Sequence, residues 1–202
     1  MAKKRVLSAT SVAGLSSPVS YTIAEHHHRF AAWAAARAAL RGLADIRTGT
    51  ISHALEHCGV VGVVDTRARW PTSVAVFDAA HRDWCQALLK DLRSAGTGNA
   101  SYGRAAKVLA IYLKSRIVLG GHHAHAFAKV IHPPIDRILL QGIAEHVCAG
   151  NQALAKQLRT TTWTTLTAGA YYDLIDRLRG ADLDRRAFWG IEQFWDPGRE
   201  EA

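Results

Sequence analysis

The stretch Tyr102-Gly-Arg-Ala-Ala-Lys-Val-Leu-Ala-Ile-Tyr-Leu113, continuing through Lys114-Ser-Arg-Ile-Val-Leu119 to Gly120 and Gly121, decides the fold. Small and apolar residues fall on nearly every side of its 3.6-residue period. It therefore reads as a helix buried around most of its circumference, closed by the two glycines. Such a helix has to be surrounded by others, and the flanking sequence supplies candidates. Thr22-Ile-Ala-Glu25 has the spacing of a capping box, and an alanine-rich run follows it to Arg41, stopped by Gly42. Ile23, Phe30, Ala34, Arg37 and Leu40 form its expected stripe, with Trp33 beside it, and small alanines on several faces imply close packing against other helices. Thr50 can cap a short helix ending near Cys58, and Val60 to Val64 reads as a short strand or a buried connection. Phe77 to Leu92 is amphipathic, with Phe77, Trp84, Leu88 and Leu92 on one side. Pro133 and Pro134 can start a helix over Ile135 to Cys148, because proline is tolerated in a first turn. Helices near Asn151 to Arg159, Thr165 to Arg179 and Asp184 to Trp195 complete the chain. The expectation is an all-α, single compact multi-helix domain over residues 21–198, preceded by a flexible basic arm at residues 1–20.

Composition narrows the function classes. The 202 residues are 49% hydrophobic and 21% charged, ordinary for a globular chain and far from a disordered one. No apolar run approaches the ~18 residues of a membrane span. The best candidate, Val108 to Leu119, is broken by Lys114 and Arg116. No membrane partner is expected. Cys58, Cys85 and Cys148 are odd in number and far apart, which suits reduced thiols and a cytoplasmic protein better than a disulfide framework. The 25 Lys and Arg against 17 Asp and Glu leave a formal charge of +8. With a pI near 9.8, that excess fits a nucleic-acid partner.

The chemistry-bearing residues cluster around the central helix. Gly103 opens it, Lys107 sits in its first turns, and Asp136 enters the next helix after a proline-led loop. Amides at a helix start suit a phosphate. A lysine held between apolar helices can serve as an amine nucleophile. A carboxylate at a helix start is stabilised as an anion, and can orient that amine or support a sugar cation.

Gly103-Arg-Ala-Ala-Lys107 and Pro134-Ile-Asp136 together resemble the helix-hairpin-helix DNA glycosylase superfamily, particularly its 8-oxoguanine type. In that superfamily a Gly-x-Gly-x-Lys segment opens a helix and a Pro-Val-Asp segment supplies an aspartate. Arg29 to Arg37 is also similar to an early helix of the superfamily. The resemblance implies that Lys107 is the Schiff-base nucleophile at the deoxyribose C1′, that Asp136 is the essential carboxylate, and that DNA is the partner. It implies no cofactor. Gly103 and Arg104 would meet the backbone, as would Arg116. His122, His123, His125 and His132 would contact a base or phosphate. The chain departs from the pattern at the hairpin itself, which reads Asn99-Ala-Ser-Tyr-Gly103, with Ala105 where the second glycine belongs.

Two alternatives stay open. Arg47 with His53, and Arg116 with His122, fit the loose Arg-x4–6-His spacing of HEPN-type ribonucleases, where histidine moves the proton and arginine holds the phosphate. A non-catalytic helical module that binds nucleic acid or protein is the other. The histidines at 26–28, 53 and 57, and 122–125 carry no Cys-x-x-Cys or His-Glu-x-x-His pattern, so no metal is expected. The aromatic run Phe188, Trp189, Ile191, Phe194 and Trp195 reads as core packing, with a base-stacking surface or a partner interface as the alternative, and Trp163 is read the same way.

Overall fold

A computed structural model describes residues 21–40, 43, 47–147, 150–181, 183 and 186–198. The expected arm at residues 1–20 and Cys148 lie outside the described residues. The described chain is all-α, with no strand. In order it forms α1 (Ile23–Ala39), α2 (Thr48–His57), α3 (Val60–Asp65), α4 (Val74–Ser94), α5 (Tyr102–Leu113), α6 (Ala126–Val130), α7 (Arg137–Val147), α8 (Gln152–Thr160) and α9 (Ala168–Gly180). A π-helical segment, Lys114–His122, extends α5, and Phe188–Phe194 forms a 3₁₀ turn near the end.

The helices start where short polar side chains satisfy free backbone amides. Thr22, Ser73, Ser101, Asn151 and Thr167 each accept a bond from the amide three residues on. At α1 only half of the expected capping box forms, because the Glu25 carboxylate turns outward to pair with Arg29 one turn later. Val60 to Val64 is helical rather than extended: with Asp65 it forms the six-residue α3, which packs against α2.

Helix α5 runs through the middle of the fold, with nearly every side chain from Tyr102 to Leu113 buried. Helices α1 and α4 flank it, and the Trp163–Thr165 turn crosses its N-terminal end. The face that α1 buries is not the large-residue stripe but Ala31, Ala32, Ala35, Ala36 and Ala39. Ile23 (82% exposed), Phe30 (56%) and Trp33 (48%) lie outside. Close approach to another crowded helix favours methyl groups over long side chains, so the alanines win the inner face. Two glycines mark similarly tight crossings. A Cβ at Gly103 would fall 2.0 Å from the Trp163 carbonyl oxygen, and one at Gly142 would fall 2.0 Å from that of Phe194.

Behind α5 lies a polar cluster that holds α4, α9 and the chain before α7 together. Arg179 donates to both carboxylate oxygens of Asp78, at 2.6 and 2.7 Å. His132 Nε2 lies 2.9 Å from the same carboxylate and 2.9 Å from Arg179 Nη2, and its Nδ1 is hydrogen-bonded with the Tyr171 hydroxyl at 3.1 Å. His81 Nδ1 donates to the Tyr172 hydroxyl at 2.8 Å, and that hydroxyl donates to the Asp78 carbonyl. Burial pushes the His132 imidazole down to about 4 and holds His81 well below the ordinary histidine range. Burial opposes the Asp78 carboxylate, but the Arg179 and His132 hydrogen bonds outweigh it and hold that carboxyl well below the usual range. His132 was expected at the nucleic acid. It is instead a structural side chain at 1% exposure, because the loop before Pro133 dives beneath α9.

Candidate active site

Lys107 projects from the first turns of α5 toward the start of α7. There Asp136 acts as the N-terminal cap, its Oδ1 accepting from the Leu139 amide at 2.9 Å. The proline-led loop thus fixes one carboxylate oxygen and leaves the other, Oδ2, for Lys107. The Lys107 Nζ donates to it at 3.1 Å across 29 residues of sequence. Trp195 Nε1 donates to the same oxygen at 3.2 Å. The indole ring of Trp163 lies 4.3 Å from Nζ, so the amine rests between a carboxylate and an aromatic face. The Lys107 and Asp136 side chains are only 8% and 15% exposed.

This pair lies at a cleft of about 180 Å³. Ile111 and Leu119 supply one apolar wall, and Pro134 and Trp195 line it as well, with Ala38 of α1 at its edge. Lys114 and Glu192 also line it, joined by a short hydrogen-bonded ion pair. Burial pushes the Glu192 carboxyl up from its ordinary range. The Lys114 ammonium offsets part of that rise, while the charge of Asp136 adds to it. Two amines and two carboxylates therefore meet in a cleft whose remaining lining is largely apolar. The lining owes part of its shape to the π segment, whose wider turn opens the helix just beyond Lys114. Gly121, at φ 89°, then turns the chain out of it.

Lys107 and Asp136 are brought together as the sequence suggested; the remaining expected contacts are placed elsewhere. The Gly103 amide donates to the Leu166 carbonyl at 3.1 Å and its Cα faces the Trp163 carbonyl, so the glycine serves helix crossing and its amide does not face a phosphate. Arg104 donates to the Ala39 carbonyl at 2.9 Å. Arg116 pairs with Asp65 at 2.7 Å and donates to the Tyr112 hydroxyl. His122 and His125 meet the Trp70 ring edge-on at 5.1 and 4.9 Å, and His125 Nδ1 caps α6. His123 is exposed. None of these residues is among the described residues lining the cleft. No group of three or more His, Cys, Asp or Glu among the described residues is placed to hold a metal ion. No described helix is long and apolar enough to cross a membrane.

Sequence reasoning missed Lys114, Glu192, Trp163 and Trp195 as parts of the site. Lys114 carried a usable signal, since seven residues from Lys107 places it on the same helix face. The other three come from distant segments, and nothing local marks them. No protein family, curated protein or solved structure matches the chain.

Proposed function

We propose that this chain is a DNA-acting enzyme of the base-excision glycosylase and abasic-site lyase kind, with Lys107 as nucleophile and Asp136 as its assisting carboxylate. The observation that carries this reading is the buried Lys107–Asp136 pair at 3.1 Å, lying at a cleft partly lined by apolar side chains. A buried amine beside a carboxylate has a proton acceptor in place, as amine nucleophiles require. In the proposed reaction Lys107 passes a proton to Asp136 and attacks C1′ of a nucleotide turned out of the duplex. The bond from C1′ to the base breaks with its electron pair leaving on the base, which takes up a proton. Opening of the sugar ring, with its oxygen leaving as a hydroxyl, gives a protonated imine between Nζ and C1′. Loss of a C2′ proton then allows the 3′ phosphate to leave, cutting the strand. Trp195 holds Asp136 in place, and Trp163 covers the amine from water.

Borohydride trapping tests the reading. Wild type and Lys107→Gln are run against oligonucleotides carrying damaged, modified and abasic sites. A covalent adduct with wild type that is absent with Lys107→Gln is the expected result. A folded Lys107→Gln protein that still forms the adduct removes the lysine from this role. The net charge of +8 favours one second reading, a non-catalytic nucleic-acid-binding module. That reading gives salt-sensitive binding to DNA or RNA, with neither adduct nor free-base release.

A further inference from the structure

The Lys114–Glu192 pair is the part of the cleft that the proposed chemistry leaves unused. It is more enclosed than a surface ion pair, with the Glu192 side chain 15% exposed and that of Lys114 32%. Resting on the glycosylase reading above, we infer that Lys114 and Glu192 form the base-reading end of the cleft, donating to and accepting from the outward edge of the flipped base while Lys107 attacks its sugar. Three observations converge on this. First, Lys107 and Lys114 are two turns apart on one helix, about 10 Å along its axis. An attack distance of about 3 Å and a hydrogen bond of about 3 Å leave room between them for the depth of one base ring. Second, the lining beside the two lysines is apolar: Ile111 between them on the helix, Pro134 and Trp195 from other segments, and Leu119 beyond Lys114. The Trp195 and Pro134 rings can pack on a base but say nothing about its edge. Third, the pair sets a donor beside a carboxylate acceptor at that edge, which is the pattern a base with adjacent N–H and C=O or ring nitrogen groups can bridge. An ion pair kept only for packing gains little from facing a cleft, whereas a reading pair must face it.

The test separates recognition of the base from chemistry at the sugar. Duplexes carrying 8-oxoguanine, hypoxanthine, uracil or thymine glycol report base release, and a duplex with a natural abasic site reports imine formation without a base to read. Glu192→Gln removes the charge of the acceptor, and Lys114→Gln removes the ammonium donor in case the first variant folds poorly. The double variant Lys114→Glu with Glu192→Lys restores an ion pair but exchanges donor and acceptor. The expected result is a fall of about 100-fold or more in base release for each single variant, against a fall of less than about fivefold in trapping at the abasic site. The exchanged pair restores thermal stability and leaves base release low. Equal losses on both substrates, or unchanged base release, overturn the inference. So does recovery of base release in the exchanged pair, which marks a structural ion pair. Wild type that traps at the abasic site yet releases no base overturns it while leaving Lys107 in its role. Wild type that forms no adduct anywhere and releases no base refutes the glycosylase reading, and this inference with it.

Discussion

Gly142→Ala strikes the site without touching any residue in it. Gly142 lies in α7, where the Phe188–Phe194 turn crosses, and its missing Cβ would stand 2.0 Å from the Phe194 carbonyl oxygen. Ordinary contact begins at 3.4 Å, so the turn must retreat by more than 1 Å. It cannot simply swing aside, because Phe188 and Ile191 anchor it in the core. Overpacking of this kind costs about 1–3 kcal/mol. The displaced turn carries Glu192, and Trp195 follows directly after it. The Trp195 bond to Asp136, already 3.2 Å long, has little reserve against such a shift. Misplacement on this scale is worth about 100-fold in a positioned reaction. Urea denaturation therefore reads a loss of about 1–3 kcal/mol, and on the proposed lyase reading borohydride trapping on an abasic duplex slows by one to two orders of magnitude, roughly. Gly62→Ala is the control. It lies in α3 with nothing within 4 Å of its added methyl, and gains up to about 1 kcal/mol of helix stability. A Gly142→Ala protein that unfolds with wild-type midpoint and traps at the wild-type rate refutes the argument that this crossing sets the cleft.

Two further outcomes follow from the polar cluster behind α5. His132 and His81 are held neutral in the fold, so the unfolded chain binds more protons as pH drops below about 6.5. Stability is full above that pH and is lost as pH falls toward 4, by about 3 kcal/mol for His132 alone. Urea midpoints across pH 7 to 4 check this: His132→Gln should flatten the slope, and an unchanged slope refutes the assignment. The depressed Asp78 carboxyl adds a further loss in more acid solution, below the ordinary carboxylate range. Arg179→Ala strands that carboxylate and should cost about 3 kcal/mol. Asp78→Asn combined with Arg179→Ala should cost less than the two single losses together, as a denaturation cycle will show.

The all-α class was legible because period and capping agree along most of the chain. The Lys107 and Asp136 pairing was legible only through two short motifs, and the sequence between them, a separation of 29, gave no hint of how the chain returns. Where reading failed, tertiary packing had overruled a local rule. The α1 alanines rightly signalled close packing against other helices, but the stripe expected through Ile23 and Phe30 is exposed, because a crowded neighbour took the alanine face. His132 carried the polar signature of a contact residue. Its burial depends on Asp78 and Arg179, 54 and 47 residues away. The C-terminal aromatic run was half understood: Phe188 and Ile191 are core, whereas Trp195 reaches the cleft. The π segment left no mark, because one extra residue per turn changes hydrogen bonding without changing composition.

The alanine seam between α1 and α5 has a dynamic consequence. Alanine has no side-chain rotamers, so these residues forfeit no rotational freedom when the two helices meet. The long side chains that cross the seam are tied down: His28 meets the Tyr112 hydroxyl and Arg104 donates to the Ala39 carbonyl. The α1 side of the contact, built from methyl groups, moves only as its backbone moves. Lys107 projects from the helix this seam clamps, so its amine inherits the stiffness of two backbones rather than the looseness of a repacking interior. Whatever flexibility the cleft has must come from the side facing α5, through the turn that brings Glu192 and Trp195.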